Sequence, residues 1–138
     1  LLSQGIGDTI RVSLAGDPRE EVFVAKHILK SLGLRDFGPE IIACPTCGRS
    51  RIDVEKIAGE VNSFIAGIGK KSAKIPFKKI AVMGCVVNGP GEAKGADIAV
   101  CGGNGCALLY RDGRQIKKIP QGQVSKEIIR LIDEKIPL

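Results

Sequence analysis

Two of the five cysteines in this 138-residue chain fall in Cys44-Pro45-Thr46-Cys47, a spacing that lets two thiolates reach one metal across a tight turn. Thiolates are soft ligands that suit iron–sulfur clusters or zinc. Pro45 removes a backbone donor and fixes a dihedral in that turn, and Gly48 permits close backbone approach. A third cysteine, Cys85, follows Gly84 at the start of a glycine-rich run that continues through Asn88-Gly89-Pro90-Gly91 to Glu92. Backbone N–H groups in such a run can form an anion-binding nest for sulfide or phosphate. On spacing alone the metal stays open between iron–sulfur and zinc. Cys-x2-Cys also begins zinc ribbons, although a ribbon supplies a second such pair and this chain has none. The sole histidine, His27, lies on a mostly polar helix flank and reads as solvated or structural. Neither Gly67-Ile68-Gly69-Lys70-Lys71-Ser72 nor Gly102-Gly103-Asn104-Gly105 meets the spacing of a nucleotide-binding loop.

The elements that must position these residues are those of an α/β chain. Thr9–Leu14 alternates with period two and reads as a strand, after which Asp17, Pro18 and Glu20 mark a capped helix start. That helix runs to about Leu32, with Val22, Ala25, Leu29 and Leu32 on one face and Gly33 as its stop. After Gly38-Pro39 the pattern restarts, which places a domain boundary near 33–39. Glu40–Ala43 is a short strand running into Cys44, and Asp53 caps a second helix. Lys79–Gly84 is another strand, and it delivers its last residue into Cys85. Ligands in open α/β sheets sit outside the carboxyl ends of the strands, so two strands each ending in a cysteine are informative. A glycine-rich loop to Ala96 follows, then strands at 97–101 and 107–110. Asp112-Gly113 signals a hairpin to 115–119, and a last amphipathic helix covers about 122–136.

Composition narrows the class. Hydrophobic content of 43% and charged content of 26% are those of a globular chain. No apolar run approaches the ~20 residues that span a bilayer, and no signal-peptide pattern opens the chain, so a cytoplasmic protein without membrane contact is expected. The chain starts without Met, in what reads as the run-in to a strand, and is expected to be a piece of something longer. Five lysines, Lys70, Lys71, Lys74, Lys78 and Lys79, contribute to a net charge of +6. They read either as a docking patch for an acidic partner or as a solvated linker. Aromatic content of 4% leaves little for base stacking, and no nucleic-acid-binding spacing occurs, so nucleic acid is not the expected partner.

Taken together, Ala43-Cys44-Pro45-Thr46-Cys47-Gly48-Arg49 and Met83-Gly84-Cys85-Val86-Val87-Asn88-Gly89-Pro90-Gly91-Glu92-Ala93 resemble the 4-hydroxy-3-methylbut-2-enyl diphosphate synthase family of isoprenoid biosynthesis, the methylerythritol phosphate route. Gly5–Leu14 is similar to the segment where that family's first domain, a TIM-type barrel, ends. The resemblance implies that residues 1–34 are the last strand and helix of the barrel. Residues 38–138 would then be an α/β iron–sulfur cluster domain similar to that of the sulfite and nitrite reductases. It implies a 4Fe–4S cluster on Cys44, Cys47, Cys85 and Glu92, the last an exchangeable and therefore catalytic ligand. The implied reaction is reductive ring opening and dehydroxylation of 2-C-methyl-D-erythritol 2,4-cyclodiphosphate to (E)-4-hydroxy-3-methylbut-2-enyl diphosphate. Electrons would come from flavodoxin or ferredoxin. A homodimer is also implied, with the cluster domain of one subunit closing over the barrel of the other. This portion alone is expected to be inactive. Arg11, Ser13 and Asn88 are the expected substrate contacts, Arg11 and Ser13 sharing one face of their strand at its carboxyl end. Cys101 and Cys106 depart from the small residues of the family's Gly-Gly-x-Gly turn. They are expected not to be ligands, Cys101 being a buried, inert thiol, although their Cys-x4-Cys spacing leaves a redox pair as the rival. The alternative for the whole is a zinc-stabilised binding module.

Overall fold

The computed structural model describes residues 1–70, 75–87 and 89–135. The chain divides into two units, Leu1–Phe37 and Gly38–Leu138.

The first unit holds a short 3-10 turn, Leu2–Gln4, and helix α1, Pro18–Ser31. Asp17 is its N-cap, the carboxylate accepting the Arg19 N–H at 2.9 Å, with Pro18 in the first turn. The end is a Schellman arrangement: Gly33 N–H bonds the Lys30 carbonyl and Leu34 N–H the Leu29 carbonyl, both at 2.9 Å. Thr9–Leu14 corrects the sequence expectation, because it forms no strand. Period-two alternation gives a strand only where a neighbour pairs with the backbone, and among the described residues none does. The segment is tied instead to α1, Leu14 N–H donating to Glu21 Oε1 at 3.1 Å. The alternation survives in exposure, with Ile10 and Val12 half-buried and Arg11 and Ser13 exposed. No residue of α1 is fully buried, and Val22, Phe23, Ile28 and Leu32 all present apolar surface.

The second unit is a mixed α/β layer built on one sheet. In chain order it contains β1 (Glu40–Ala43), α2 (Val54–Lys70), β2 (Lys79–Met83), α3 (Gly89–Ala93), β3 (Ile98–Gly102), β4 (Cys106–Arg111), β5 (Arg114–Pro120) and α4 (Val124–Asp133). The five strands lie in the order β1-β2-β3-β4-β5. The first three run parallel, with Ala43 beside Val82 and Met83 beside Cys101, and the last three run antiparallel. Asp112 and Gly113 make the β4–β5 hairpin with φ of 48° and 74°, the primed-turn geometry that matches strand twist. Asp53 caps α2, its carboxylate accepting the Lys56 N–H at 3.0 Å.

One face of the sheet carries the main core. Val54, Ile57, Val61, Ile65 and Ile68 of α2, with Val124, Ile128, Leu131 and Ile132 of α4, cover Ile80, Val82, Ile98, Val100, Leu109 and Ile119. The opposite face is shallower and rich in small residues: Ala81, Met83, Ala99, Cys101 and Tyr110, covered by Ala93 and Ala96. The segment expected to be a glycine-rich loop up to Ala96 contains the short helix α3, a second correction. Pro90 presets a helical φ, and burial of Ala93 against the sheet fixes the turn. Close approach there depends on Gly89, where an added Cβ would lie 2.2 Å from Cys101 Sγ.

Candidate metal centre

The parallel β1–β2 pair brings two of the expected ligand positions to one end of the sheet. Cys44 follows β1, its N–H bonded to the Val82 carbonyl at 3.2 Å, and Cys85 lies two residues beyond β2. Cys44 is half-buried and packs against the residues of both sheet faces. Its Sγ accepts the Gly84 N–H at 3.2 Å. A backbone N–H aimed at sulfur is the kind of contact that orients a metal-ligating cysteine, so the donor chemistry at Cys44 suits a soft metal or cluster.

The loop beyond Cys44 returns to the same sheet end. Ser50 N–H bonds the Cys47 carbonyl at 2.9 Å, and Arg51 N–H bonds the Gly84 carbonyl at 2.7 Å. The Ser50 hydroxyl donates to the Ile52 carbonyl at 2.8 Å and packs over Gly84. Gly102 of β3 completes the close packing, since a Cβ there would fall 2.3 Å from the Gly84 carbonyl oxygen. Cys47 is exposed on this loop, Cys85 is half-buried, and Glu92 is exposed on α3. The four expected ligands are not drawn around one point: among the described residues no three of His, Cys, Asp and Glu are grouped to hold a metal ion. Asn88 lies outside the described residues. Arg11 and Ser13 are exposed in the first unit.

Cys101 is fully buried at the end of β3, and its thiol is pushed up to about 11, chiefly by burial and secondarily by the neighbouring Cys85. A neutral thiol is inert, which is the state expected for this residue. Cys106 begins β4 half-buried, its carbonyl accepting the Gly103 N–H at 2.7 Å. His27 is exposed and packs against Phe23 with the rings tilted by 57° and their centroids 4.4 Å apart. Of the lysine run, Lys78 is exposed and Lys79 half-buried; Lys71 and Lys74 lie outside the described residues, as does the side chain of Lys70.

Two residues carry structural weight that no motif announced. Asp97 Oδ2 accepts the Lys78 and Lys79 N–H groups at 2.7 and 2.8 Å, tying the start of β2 to the start of β3. Gln121, in the 3-10 turn Gln121–Gln123 between β5 and α4, donates to the carbonyls of Arg51 at 2.6 Å and Gly103 at 3.0 Å. A polar residue that bonds distant backbone leaves no signature in spacing or periodicity.

Comparison with known proteins extends this picture. Residues 40–134 match the family described as GcpE protein C-terminal domain. The 4-hydroxy-3-methylbut-2-en-1-yl diphosphate synthase (flavodoxin) of Ruminiclostridium cellulolyticum is 52% identical over 134 residues, which is 97% of this chain and 36% of that protein. The Clostridium acetobutylicum protein of the same name is 53% identical over 133 residues, 96% of this chain and 36% of its own length. That of Salinispora arenicola is 50% identical over 138 residues, 97% of this chain and 34% of its length. The chain thus spans about a third of the length of these relatives. It belongs to the GcpE protein C-terminal domain family, the family it shares with the 4-hydroxy-3-methylbut-2-en-1-yl diphosphate synthases.

Proposed function

We propose that this chain is the cluster-bearing portion of an oxidoreductase of isoprenoid biosynthesis. The enzyme reductively opens and dehydroxylates 2-C-methyl-D-erythritol 2,4-cyclodiphosphate to (E)-4-hydroxy-3-methylbut-2-enyl diphosphate. The observation that carries the reading is the parallel β1–β2 pair, which has Cys44 immediately after β1 and Cys85 two residues after β2 at the same end of the sheet, with Cys47 on the loop that follows Cys44. Support comes from relatives at 50–53% identity that bear that enzyme's name.

Cys44, Cys47, Cys85 and Glu92 would hold a 4Fe–4S cluster, which supplies electrons and a Lewis-acidic iron. Metal bonds can draw in ligands that start on separate loops, because binding free energy is available to order them. Three thiolates anchor; the carboxylate of Glu92 is the harder and more weakly held donor, able to give way to substrate. Gly84 N–H steadies the Cys44 sulfur, and the packed Ser50–Gly84–Gly102 contacts keep the two cysteine-bearing segments in register. Arg11, Ser13 and Asn88 would contact the diphosphate. The relatives' names carry the word flavodoxin, and flavodoxin is the proposed electron donor here. A homodimer working in the cytoplasm completes the reading, with residues 1–34 as the end of a TIM-type barrel and residues 38–138 as a domain of sulfite-reductase type. No helix among the described residues is long and apolar enough to cross a membrane.

The test is anaerobic purification of the full-length protein with iron and acid-labile sulfide counted. Four of each per chain, with a broad absorption near ~400 nm, is the expected outcome. Colourless protein with one zinc and no sulfide would replace this reading with a zinc-stabilised module.

A further inference from the structure

One hydrogen-bonded line runs from the Cys44 sulfur to a side chain remote in sequence. Cys44 Sγ accepts the Gly84 N–H, the Gly84 carbonyl accepts the Arg51 N–H, and the Arg51 carbonyl accepts Gln121 Nε2, at 3.2, 2.7 and 2.6 Å. Gln121 is 70 residues from Arg51, and its second amide proton goes to the Gly103 carbonyl at 3.0 Å. Both donors of the amide are therefore used, and each fixes a backbone segment that borders the cysteines. The line has little slack. A Cβ on Gly84 would lie 2.3 Å from Ser50 Oγ, and one on Gly102 would lie 2.3 Å from the Gly84 oxygen. A shift at Arg51 is consequently felt at the Gly84 peptide, the group that donates to sulfur.

We propose that Gln121 is a positioning residue for the cysteine centre: by holding the Arg51 carbonyl it sets the Gly84 N–H against the Cys44 sulfur. The proposal rests on the reading of Cys44 as a cluster ligand. An N–H···S bond withdraws charge from a ligating thiolate and favours the reduced state, so it raises the potential of the group the thiolate holds. Removing the Gln121 donors frees Arg51, loosens the Gly84 peptide and lowers that potential.

Gln121→Met keeps the length of the side chain and removes both donors; Gln121→Lys supplies donors on an arm one bond longer. In cluster-free full-length protein, hydrogen exchange read by mass spectrometry should be about tenfold faster over residues 49–52 and 83–86 in Gln121→Met, and close to the parent rate in Gln121→Lys. In anaerobically loaded protein, the midpoint potential of Gln121→Met should move negative; Gln121→Lys adds a cation that raises a nearby potential by itself, so its rescue is read from exchange alone. Parent-like exchange in Gln121→Met overturns the proposal, and so does an unchanged potential. Should Gln121→Met fail to fold, Gln121→Asn, which keeps the amide on a shorter arm, serves in both comparisons. A parent protein that binds no iron or sulfide removes the functional reading, and the exchange comparison still decides the positioning role.

Discussion

At the scale of single residues, the four proposed ligands differ in how each is held. Cys44 is half-buried and bonded through sulfur to Gly84, whereas Glu92 is exposed on a five-residue helix. An exposed glutamate is ordinarily a solvated charge, so its assignment depends on its place in the motif and invites a direct test. Glu92→Ala in the full-length protein should keep most of its iron and lose nearly all turnover, because three thiolates remain. Cys85→Ser removes an anchor and should yield little intact cluster. Both are read by anaerobic iron and sulfide counts alongside turnover with a chemical reductant. Near-normal turnover in Glu92→Ala would sink the exchangeable-ligand role. Cys101 provides the contrast. Its thiol is buried under Gly89 and held neutral, so Cys101→Ala with Cys106→Ala should retain iron; loss of iron from that pair would make one of them a ligand.

At the scale of elements, two polar clasps set strand and helix against each other. Asp97 accepts two N–H groups at the start of β2, and its own N–H returns to the Lys79 carbonyl at 2.9 Å. Asp97→Ala strands the partly buried Lys79 N–H and releases the exposed Lys78 N–H, and should cost about 1–2 kcal/mol in urea unfolding, and Asp97→Asn, which keeps an acceptor, distinctly less. Glu127 of α4 receives Lys117 of β5 at 2.5 Å and Arg130 at 3.0 Å. Hydrogen bonding from Arg130, then from Lys117, holds its carboxyl at about 2, below the ordinary 4.5. A carboxyl depressed on folding stabilises fully above its unfolded value, and that contribution is lost as pH falls through about 2. Because both cations are about half exposed, solvent screening reduces the gain to about 1 kcal/mol. Glu127→Gln should therefore destabilise at pH 7, and the difference from the parent should close between pH 4.5 and 2. These clasps also show where the sequence was readable. The strand from Glu40 to Ala43, the Asp53 cap and the Asp112-Gly113 hairpin were legible because each depends on local propensity or a short turn. Thr9–Leu14 was misread as a strand because pairing is not local, and α3 was missed because five residues give no periodicity. The cysteines stood out by type and spacing; Gln121 did not, since its partners lie 18 and 70 residues away.

At the scale of the whole molecule, the chain covers about a third of its relatives, so the proposed reaction is tested in full-length protein. The first unit leaves Val22 and Phe23 each more than half exposed, and the second leaves Val86 and Val87 exposed beside Cys85. Apolar surface on both units is consistent with partners drawn from the rest of the protein or from a second subunit. If the cluster domain of one subunit closes over the barrel of the other, each active centre takes Arg11 from one chain and Glu92 from its partner. Arg11→Met should weaken substrate binding and Glu92→Ala should abolish turnover, leaving each homodimer nearly inactive when assayed alone at substrate well below the KM of Arg11→Met. In a mixed dimer of the two variants, one centre then carries both substitutions and the other carries neither. Random exchange makes half of the dimers mixed, so mixing equal amounts should restore roughly a quarter of parent turnover per subunit. If each centre is instead built within one chain, every centre in the mixture keeps one substitution and no activity returns. The measurement is turnover before and after subunit exchange of two purified inactive variants. A mixture that stays inactive while mass spectrometry shows mixed dimers would rule out the shared centre.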